Sequence, residues 1–227
     1  MWLLTLYRST IGKKMIMAVT GLMMVGFVIV HMAGNLQLFL GAAKINGYSA
    51  FLKSTGELLW VARLGLLGAV LLHILMAWQL SRIAAQARPV AYEKRTPQVS
   101  TLASRTMRWG GVLLLGFIVF HILHFTTGTV FPLASRPDAL YPSYSHTDVY
   151  GNVVSAFRLP WVAALYIVAM FFLLLHLFHG AWSSVRTLGL TKPSPDPMKR
   201  RIATAIALVV WLGFTIVPLA VFLGVIR

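Results

Sequence analysis

The sequence contains no cysteine among its 227 residues. Without thiols there can be no disulfides, no cysteine-held iron–sulfur cluster and no thiolate-ligated haem. Acidic residues are also scarce, with five in the whole chain, and none lies in the middle of an apolar segment. A di-iron site in a helical bundle takes glutamates from several helices, and a proton or cation transporter commonly uses buried carboxylates. The scarcity of carboxylates therefore argues against both classes.

Charged residues of either sign are few. They make up 11% of the chain, against about 25% in an ordinary soluble domain, while hydrophobic residues make up 58%. The formal net charge is +15, but the Lys and Arg residues cluster between apolar segments, which is typical of membrane topology signals. We therefore expect an all-α integral membrane protein that contacts lipid and has no nucleic-acid partner.

The apolar segments predict five membrane-spanning helices. A span takes about 20 mainly apolar residues, and five segments meet this length. They cover approximately residues 15–40, 58–83, 107–130, 160–185 and 202–226. We expect residues 1–227 to form a single transmembrane domain.

Positive charge predicts the orientation of these helices. It is concentrated before the first span, between the second and third, and between the fourth and fifth. These residues are Arg8, Lys13 and Lys14, then Arg82, Arg88, Lys94, Arg95, Arg105 and Arg108, then Arg186, Lys192, Lys199, Arg200 and Arg201. The positive-inside rule places the N-terminus in the cytoplasm and the C-terminus outside. The long connection over residues 131–159 is expected to cap the outer face.

Four histidines, His31, His73, His121 and His176, each lie on a different predicted span. An ionisable residue inside a membrane is costly and marks a functional site. Counting from the nearest basic residue at 1.5 Å per residue groups the four into an outer pair, His31 with His121, and an inner pair, His73 with His176. The same count separates the two levels by on the order of 5–10 Å. Two imidazoles at each of two levels predict two b-type haems.

Spacing alone leaves alternatives open. His124 and His179 each follow one of the four histidines by three residues and share nearly the same helix face. Either could be the ligand instead, whereas His146 in the outer connection is expected to be exposed. A different reading is a small transporter or structural membrane protein whose histidines line a cavity.

Glycines on the first three spans allow close approach of a helix or a flat porphyrin. They are Gly21, Gly26, Gly65, Gly68, Gly110, Gly111 and Gly116.

Short motifs along the chain carry a family resemblance. They are Ser9-Thr10-Ile11-Gly12-Lys13-Lys14, Met17-Ala18-Val19-Thr20-Gly21, His31-Met32-Ala33-Gly34-Asn35, Leu72-His73-Ile74, and His176 followed by Gly180-Ala181-Trp182-Ser183. With these motifs, nearly the whole chain resembles the cytochrome b membrane-anchor subunit of succinate dehydrogenase and fumarate reductase. It is most similar to the single-subunit, five-helix, di-haem type of this succinate:quinone oxidoreductase subunit.

The resemblance implies a haem-binding bundle formed by the first four helices. It implies His31 and His121 as axial ligands of the outer haem b iron, and His73 and His176 as those of the inner one. In this way it selects His121 over His124 and His176 over His179.

The resemblance also implies the biological setting. The chain would be the electron-transfer and quinone-reactive subunit of respiratory complex II, linked to the tricarboxylic acid cycle, with no catalytic residue of its own. Its partners would be a flavoprotein with covalent FAD and an iron–sulfur subunit, docked on the cytoplasmic face of a bacterial inner membrane. Its substrate would be a quinone, expected to be menaquinone.

Further candidates follow from position. Three arginines near the inner ends of the spans are candidates for pairing with haem propionates, namely Arg82, Arg108 and Arg186. Four polar residues near the outer level are candidates for quinone binding, namely Asn35, Gln37, Glu57 and Arg63. The alternative function is the haem b anchor of another membrane oxidoreductase, such as a formate dehydrogenase or hydrogenase, which shares the bis-histidine chemistry.

Overall fold

The computed structural model describes residues 2–87, 90, 100–191 and 197–227. Within these ranges the chain is helical with no strands, so the predicted all-α fold is confirmed. Arg88, Lys94, Arg95 and Lys192, which contributed to the predicted orientation, lie outside the described residues.

Five helices are long and apolar enough to cross a membrane, as predicted. They are α2 (Thr10–Leu36), α4 (Glu57–Gln86), α5 (Leu102–His121), α7 (Pro160–Thr187) and α8 (Pro197–Phe222). A 3-10 turn at Gln37–Leu40 extends α2, and a π-helical turn at Ile122–Thr126 extends α5. With these extensions, each helix exceeds the roughly 20 residues that a span requires.

Polar caps explain why two helices begin before the predicted apolar limit. The Ser9 hydroxyl accepts a hydrogen bond from the Gly12 N–H at 2.9 Å and starts α2 five residues early. The Thr101 hydroxyl accepts one from the Ser104 N–H at 3.2 Å and starts α5. Such a side chain satisfies a backbone donor that the first helical turn leaves free, so the helix extends past its apolar stretch.

Three shorter helices were not anticipated. They are α1 (Trp2–Arg8), α3 (Ala42–Ser54) and α6 (Val149–Phe157). The Asn46 amide of α3 donates to the Asp148 carboxylate at 2.9 Å, and its oxygen accepts from the Tyr150 N–H at 3.0 Å. Helices α3 and α6 pack with the ends of α7 and α8 around one apolar core. We call this the capped end of the bundle, and it contains the connection predicted to form a cap.

Helix packing in the described residues is close between some spans and absent between others. Helix α2 packs against α4, α7 and α8, and α5 packs against α7. In contrast, α4 scarcely approaches α7, and α2 scarcely approaches α5. The helices alternate in direction, so Lys13, Lys14, Arg82, Arg108 and Arg186 lie towards the end opposite the cap, which we call the basic end.

Candidate functional site

Two histidine rings face each other near the capped end. His31 of α2 and His121 of α5 have ring centroids 5.9 Å apart and planes at 82°. Phe27 stacks on the His31 ring at 5.3 Å, and Phe117 lies against the His121 ring at 5.8 Å. We call His31 and His121 the capped-end pair. Its surroundings are mainly aromatic, and the Tyr166 hydroxyl is the polar group nearest to the His121 ring.

A second pair lies nearer the basic end. His73 of α4 and His176 of α7 have ring centroids 6.2 Å apart and planes at 55°. We call them the basic-end pair. A metal bonded to one nitrogen of each ring, at about 2 Å from each, separates two imidazole centroids by about 6 Å. Both pairs therefore have a spacing that suits one metal ion between two imidazoles.

Each pair bridges two helices that are otherwise kept apart. The capped-end pair joins α2 to α5 and the basic-end pair joins α4 to α7, and in the described residues neither of these helix pairs packs closely. Direct helix–helix packing normally closes such gaps with small residues and close backbone contact. A gap with an imidazole on each side instead suits a flat ligand coordinated from both faces.

The His73 ring is oriented by α2. Its Nδ1 lies 3.0 Å from the Met17 carbonyl oxygen and 3.3 Å from the Thr20 hydroxyl. A histidine that binds metal commonly donates its other ring N–H to a carbonyl. With the proton on Nδ1 donated to Met17, Nε2 is free to bind a metal. A Cβ at Gly21 would lie 3.3 Å from His73 Cε1, so the absence of a side chain there makes room for this ring.

His176 contributes an unpaired nitrogen to the basic-end pair. Its Nδ1 is buried and has no hydrogen-bond partner within the described residues. A shallow crevice lies beside this ring between α5 and α7, with Gly110 and Phe172 in its lining. His179, one turn further along α7, has no second imidazole ring in contact with it among the described residues. The geometry thus places His176, and not His179, opposite His73.

His121 and His124 share one hydroxyl group. The Tyr166 Oη lies 3.3 Å from His121 Nδ1 and 3.0 Å from His124 Nδ1. His124 is fully buried in the π-helical turn and stacks on Phe125 at 4.1 Å. His121 is the ring that faces His31. Sequence reasoning missed Tyr166, although a tyrosine within an apolar span was a visible signal.

The two pairs lie further apart than predicted. His73 contacts α2 at Met17 and Thr20, which precede His31 by 14 and 11 residues, so the levels differ by about 15–20 Å. The predicted offset of 5–10 Å was therefore wrong. It assumed that the basic residues at the helix ends share one plane. Instead, His73 lies level with Met17 and Thr20, which follow Lys14 by three and six residues, whereas Arg82 follows His73 by nine. Arg82 therefore lies past the level of Lys14.

The arginines proposed for haem propionates are exposed at the basic end. Arg82 lies over the Trp78 ring at 5.1 Å, and Arg186 lies over the Trp182 ring at 5.8 Å, each within its own helix. Arg108 is likewise exposed. None of the three forms an ion pair with an acidic group in the described residues. Their pairing with propionates stays a prediction.

The quinone candidates are not brought together by side-chain contacts. The Asn35 amide donates to the His31 carbonyl oxygen at 2.7 Å within α2. Arg63 lies over Trp60 at 5.1 Å within α4. Gln37 is half-buried in the 3-10 turn, and Glu57 is exposed at the start of α4. These assignments stay predictions, while His146 is exposed as expected.

Comparison with protein-family models, curated proteins and solved structures finds no match to the chain. In the described residues, no cluster of three or more histidine, cysteine, aspartate or glutamate side chains could hold a metal ion. A haem iron takes only its axial ligands from the protein, so two imidazoles at each site are sufficient.

Proposed function

We propose that the chain is the di-haem b membrane anchor of a succinate dehydrogenase or fumarate reductase. In this role it transfers electrons between an iron–sulfur subunit and a membrane quinone, expected to be menaquinone. The observation that carries the proposal is the presence of two imidazole pairs, at 5.9 and 6.2 Å, across helix pairs that scarcely touch.

The donor set fits two b-type haems. Both pairs consist of imidazoles, and the chain has no thiol that would compete as a ligand. The Nδ1 of His73 is already committed to the Met17 carbonyl, which orients its Nε2 into the gap. Haem iron held by two imidazoles exchanges single electrons and keeps no open position for oxygen.

The remaining roles follow from the placement of the residues. Phenylalanines around the capped-end pair exclude water from it. The positive charge of Arg82, Arg108 and Arg186 at the basic end suits haem propionates and the docking of an iron–sulfur subunit with its flavoprotein. This assignment puts the basic end and the N-terminus in the cytoplasm of a bacterium, with the C-terminus outside.

The proposal is tested by purifying the chain from its native membrane with an affinity tag, together with its partners. We expect a flavoprotein with covalently bound flavin and an iron–sulfur subunit to co-purify. We also expect succinate to reduce the b-type absorption bands of the complex. Bands that respond to formate or hydrogen but not to succinate would contradict the proposal and favour the alternative anchor. A preparation with no b-type band would contradict both.

A further inference from the structure

A tyrosine hydroxyl lies between two imidazoles beside the capped-end pair. Tyr166 Oη is 3.3 Å from His121 Nδ1 and 3.0 Å from His124 Nδ1. The Tyr166 side chain is 7% exposed and His124 is 0% exposed. Four phenylalanine rings surround the Tyr166 ring with centroids 4.9–6.1 Å away. They are Phe117, Phe120, Phe125 and Phe157. The two imidazoles are therefore the polar groups to which this buried hydroxyl is hydrogen-bonded.

Counting hydrogens fixes the direction of both bonds. A phenolic hydroxyl has one hydrogen to donate and lone pairs to accept. If His121 presents Nε2 to a metal, its Nδ1 carries the proton and donates to the Tyr166 oxygen. The Tyr166 hydrogen then has one acceptor left, the Nδ1 of His124. His124 is thereby held in the tautomer that has its proton on Nε2.

His124 has few other polar contacts. The Ala134 backbone lies near its ring, but Nε2 is buried without a hydrogen-bond partner of ordinary geometry among the described residues, which costs free energy. A leucine or phenylalanine would fill the same apolar site, between Phe120 and Phe131, without that cost. The π-helical turn that carries His124 is itself a rare geometry that recurs at functional sites. Among the described residues, the bond to Tyr166 is the side-chain hydrogen bond that this buried imidazole makes.

We infer, resting on the proposed function, that Tyr166 and His124 are positioning residues for His121. Tyr166 accepts the His121 Nδ1–H and so orients the ring towards His31. His124 takes the Tyr166 hydrogen and so keeps the phenol oxygen as an acceptor. In the basic-end pair, the Met17 carbonyl oxygen accepts the hydrogen bond from His73 instead. The contacts of Tyr166 and His124 therefore act on the capped-end haem and leave the basic-end haem unaffected.

The expected effect has a definite sign. An acceptor at Nδ1–H makes a histidine a more basic metal ligand. A more basic ligand favours the ferric state, so loss of the acceptor raises the midpoint potential. Tyr166→Phe should raise the potential of the capped-end haem and leave the basic-end haem unchanged.

The test is a redox titration of both haems in the purified complex, together with the ferric spectrum. The haems are assigned with His31→Ala and His73→Ala, each of which should remove one. The matched control is Tyr150→Phe, which also removes one hydroxyl, but that hydroxyl donates to the Arg227 carbonyl oxygen and not to a histidine. We expect Tyr166→Phe to keep both bis-imidazole signals and shift one potential upwards, while Tyr150→Phe shifts neither.

A second variant pair tests His124 independently of Tyr166. His124→Leu removes the acceptor and should shift the same potential in the same direction. His124→Asn restores an acceptor near the Nδ1 position and should return the potential towards the wild-type value. If Tyr166→Phe fails to assemble, the difference in capped-end haem potential between His124→Leu and His124→Asn tests the inference on its own.

Three results would overturn the inference. The first is a capped-end haem whose potential is the same in Tyr166→Phe as in Tyr150→Phe, or the same in His124→Leu as in His124→Asn, with both haems retained. This result would overturn the inference and leave the proposed function standing. Loss of the capped-end haem in His124→Leu, with retention in His121→Leu, would make His124 the ligand. Absence of haem from the wild-type chain would overturn the inference and the proposed function together.

Discussion

A histidine that holds a metal uses one ring nitrogen for the metal and needs a partner for the other. In this chain His73 has the Met17 carbonyl as that partner and His121 has the Tyr166 hydroxyl. His176 has none among the described residues. At the scale of single residues, the two pairs therefore have similar distances between their rings but different hydrogen-bond partners for the ring nitrogens.

Gly21 controls the room available to His73. A Cβ there would lie 3.3 Å from His73 Cε1, so Gly21→Val should push the ring away from the Met17 carbonyl. We predict that this variant loses the basic-end haem and keeps the other. The measurement is the ratio of haem to protein in the purified chain.

The control for this prediction is Gly26→Val on the same helix. A Cβ at Gly26 has no atom within 4 Å, so this variant should keep both haems. Equal haem content in the two variants would show that Gly21 has no special role.

His176 and His179 make a matched pair of substitutions on α7. His176 faces His73 across the gap, whereas His179 does not. His176→Ala should therefore lose the basic-end haem, as should His73→Ala, and His179→Ala should retain both haems. Absorption spectra of the reduced variants measure this directly. The assignment fails if the effects of His176→Ala and His179→Ala are reversed.

At the scale of elements, the long spans were predictable and the short helices were not. Each span is a long apolar segment, and a segment long enough to cross the bilayer is recognisable from its length alone. Helices α3 and α6 are shorter than a span and carry polar residues. Their stability depends on contacts between distant segments, such as Asn46 with Asp148, which a local pattern does not contain.

The cap offers a prediction at this scale. Asn46→Ala removes the bond to Asp148 and leaves the Tyr150 N–H without its acceptor. Losing a partner of a part-buried polar group costs about 1–3 kcal/mol, so the unfolding temperature in detergent should fall. Lys44→Ala, at an exposed position on the same helix, is the control and should leave it unchanged. Equal unfolding temperatures would exclude a role for Asn46 in holding the cap.

The histidine site was predictable in part. Depth counting grouped the four histidines as the structure pairs them, because each lies far from its helix end. It misjudged the offset between levels, because helix ends are staggered, as the contacts of His73 with Met17 and Thr20 show. Spacing did not separate His121 from His124, since residues three apart share a helix face. The π-helical turn that distinguishes them has no simple sequence pattern.

At the scale of the whole molecule, the capped-end pair and the basic-end pair lie about 15–20 Å apart along the bundle. One is near the basic end, where we propose that the iron–sulfur subunit docks, and the other is near the capped end. Movement of one charge across the whole membrane is worth about 2.3 kcal/mol per 100 mV. Electron transfer over the observed separation between the sites therefore crosses a larger share of this field than transfer over the separation predicted from the sequence.

The central claim is that each histidine pair holds one haem. The most direct test is the haem content of the purified chain, measured with its reduced-minus-oxidised spectrum. The account predicts two haem b per chain, with one lost in His31→Ala or His121→Ala and the other in His73→Ala or His176→Ala. A chain without haem, or two haems retained after substitution of a paired histidine, would contradict it.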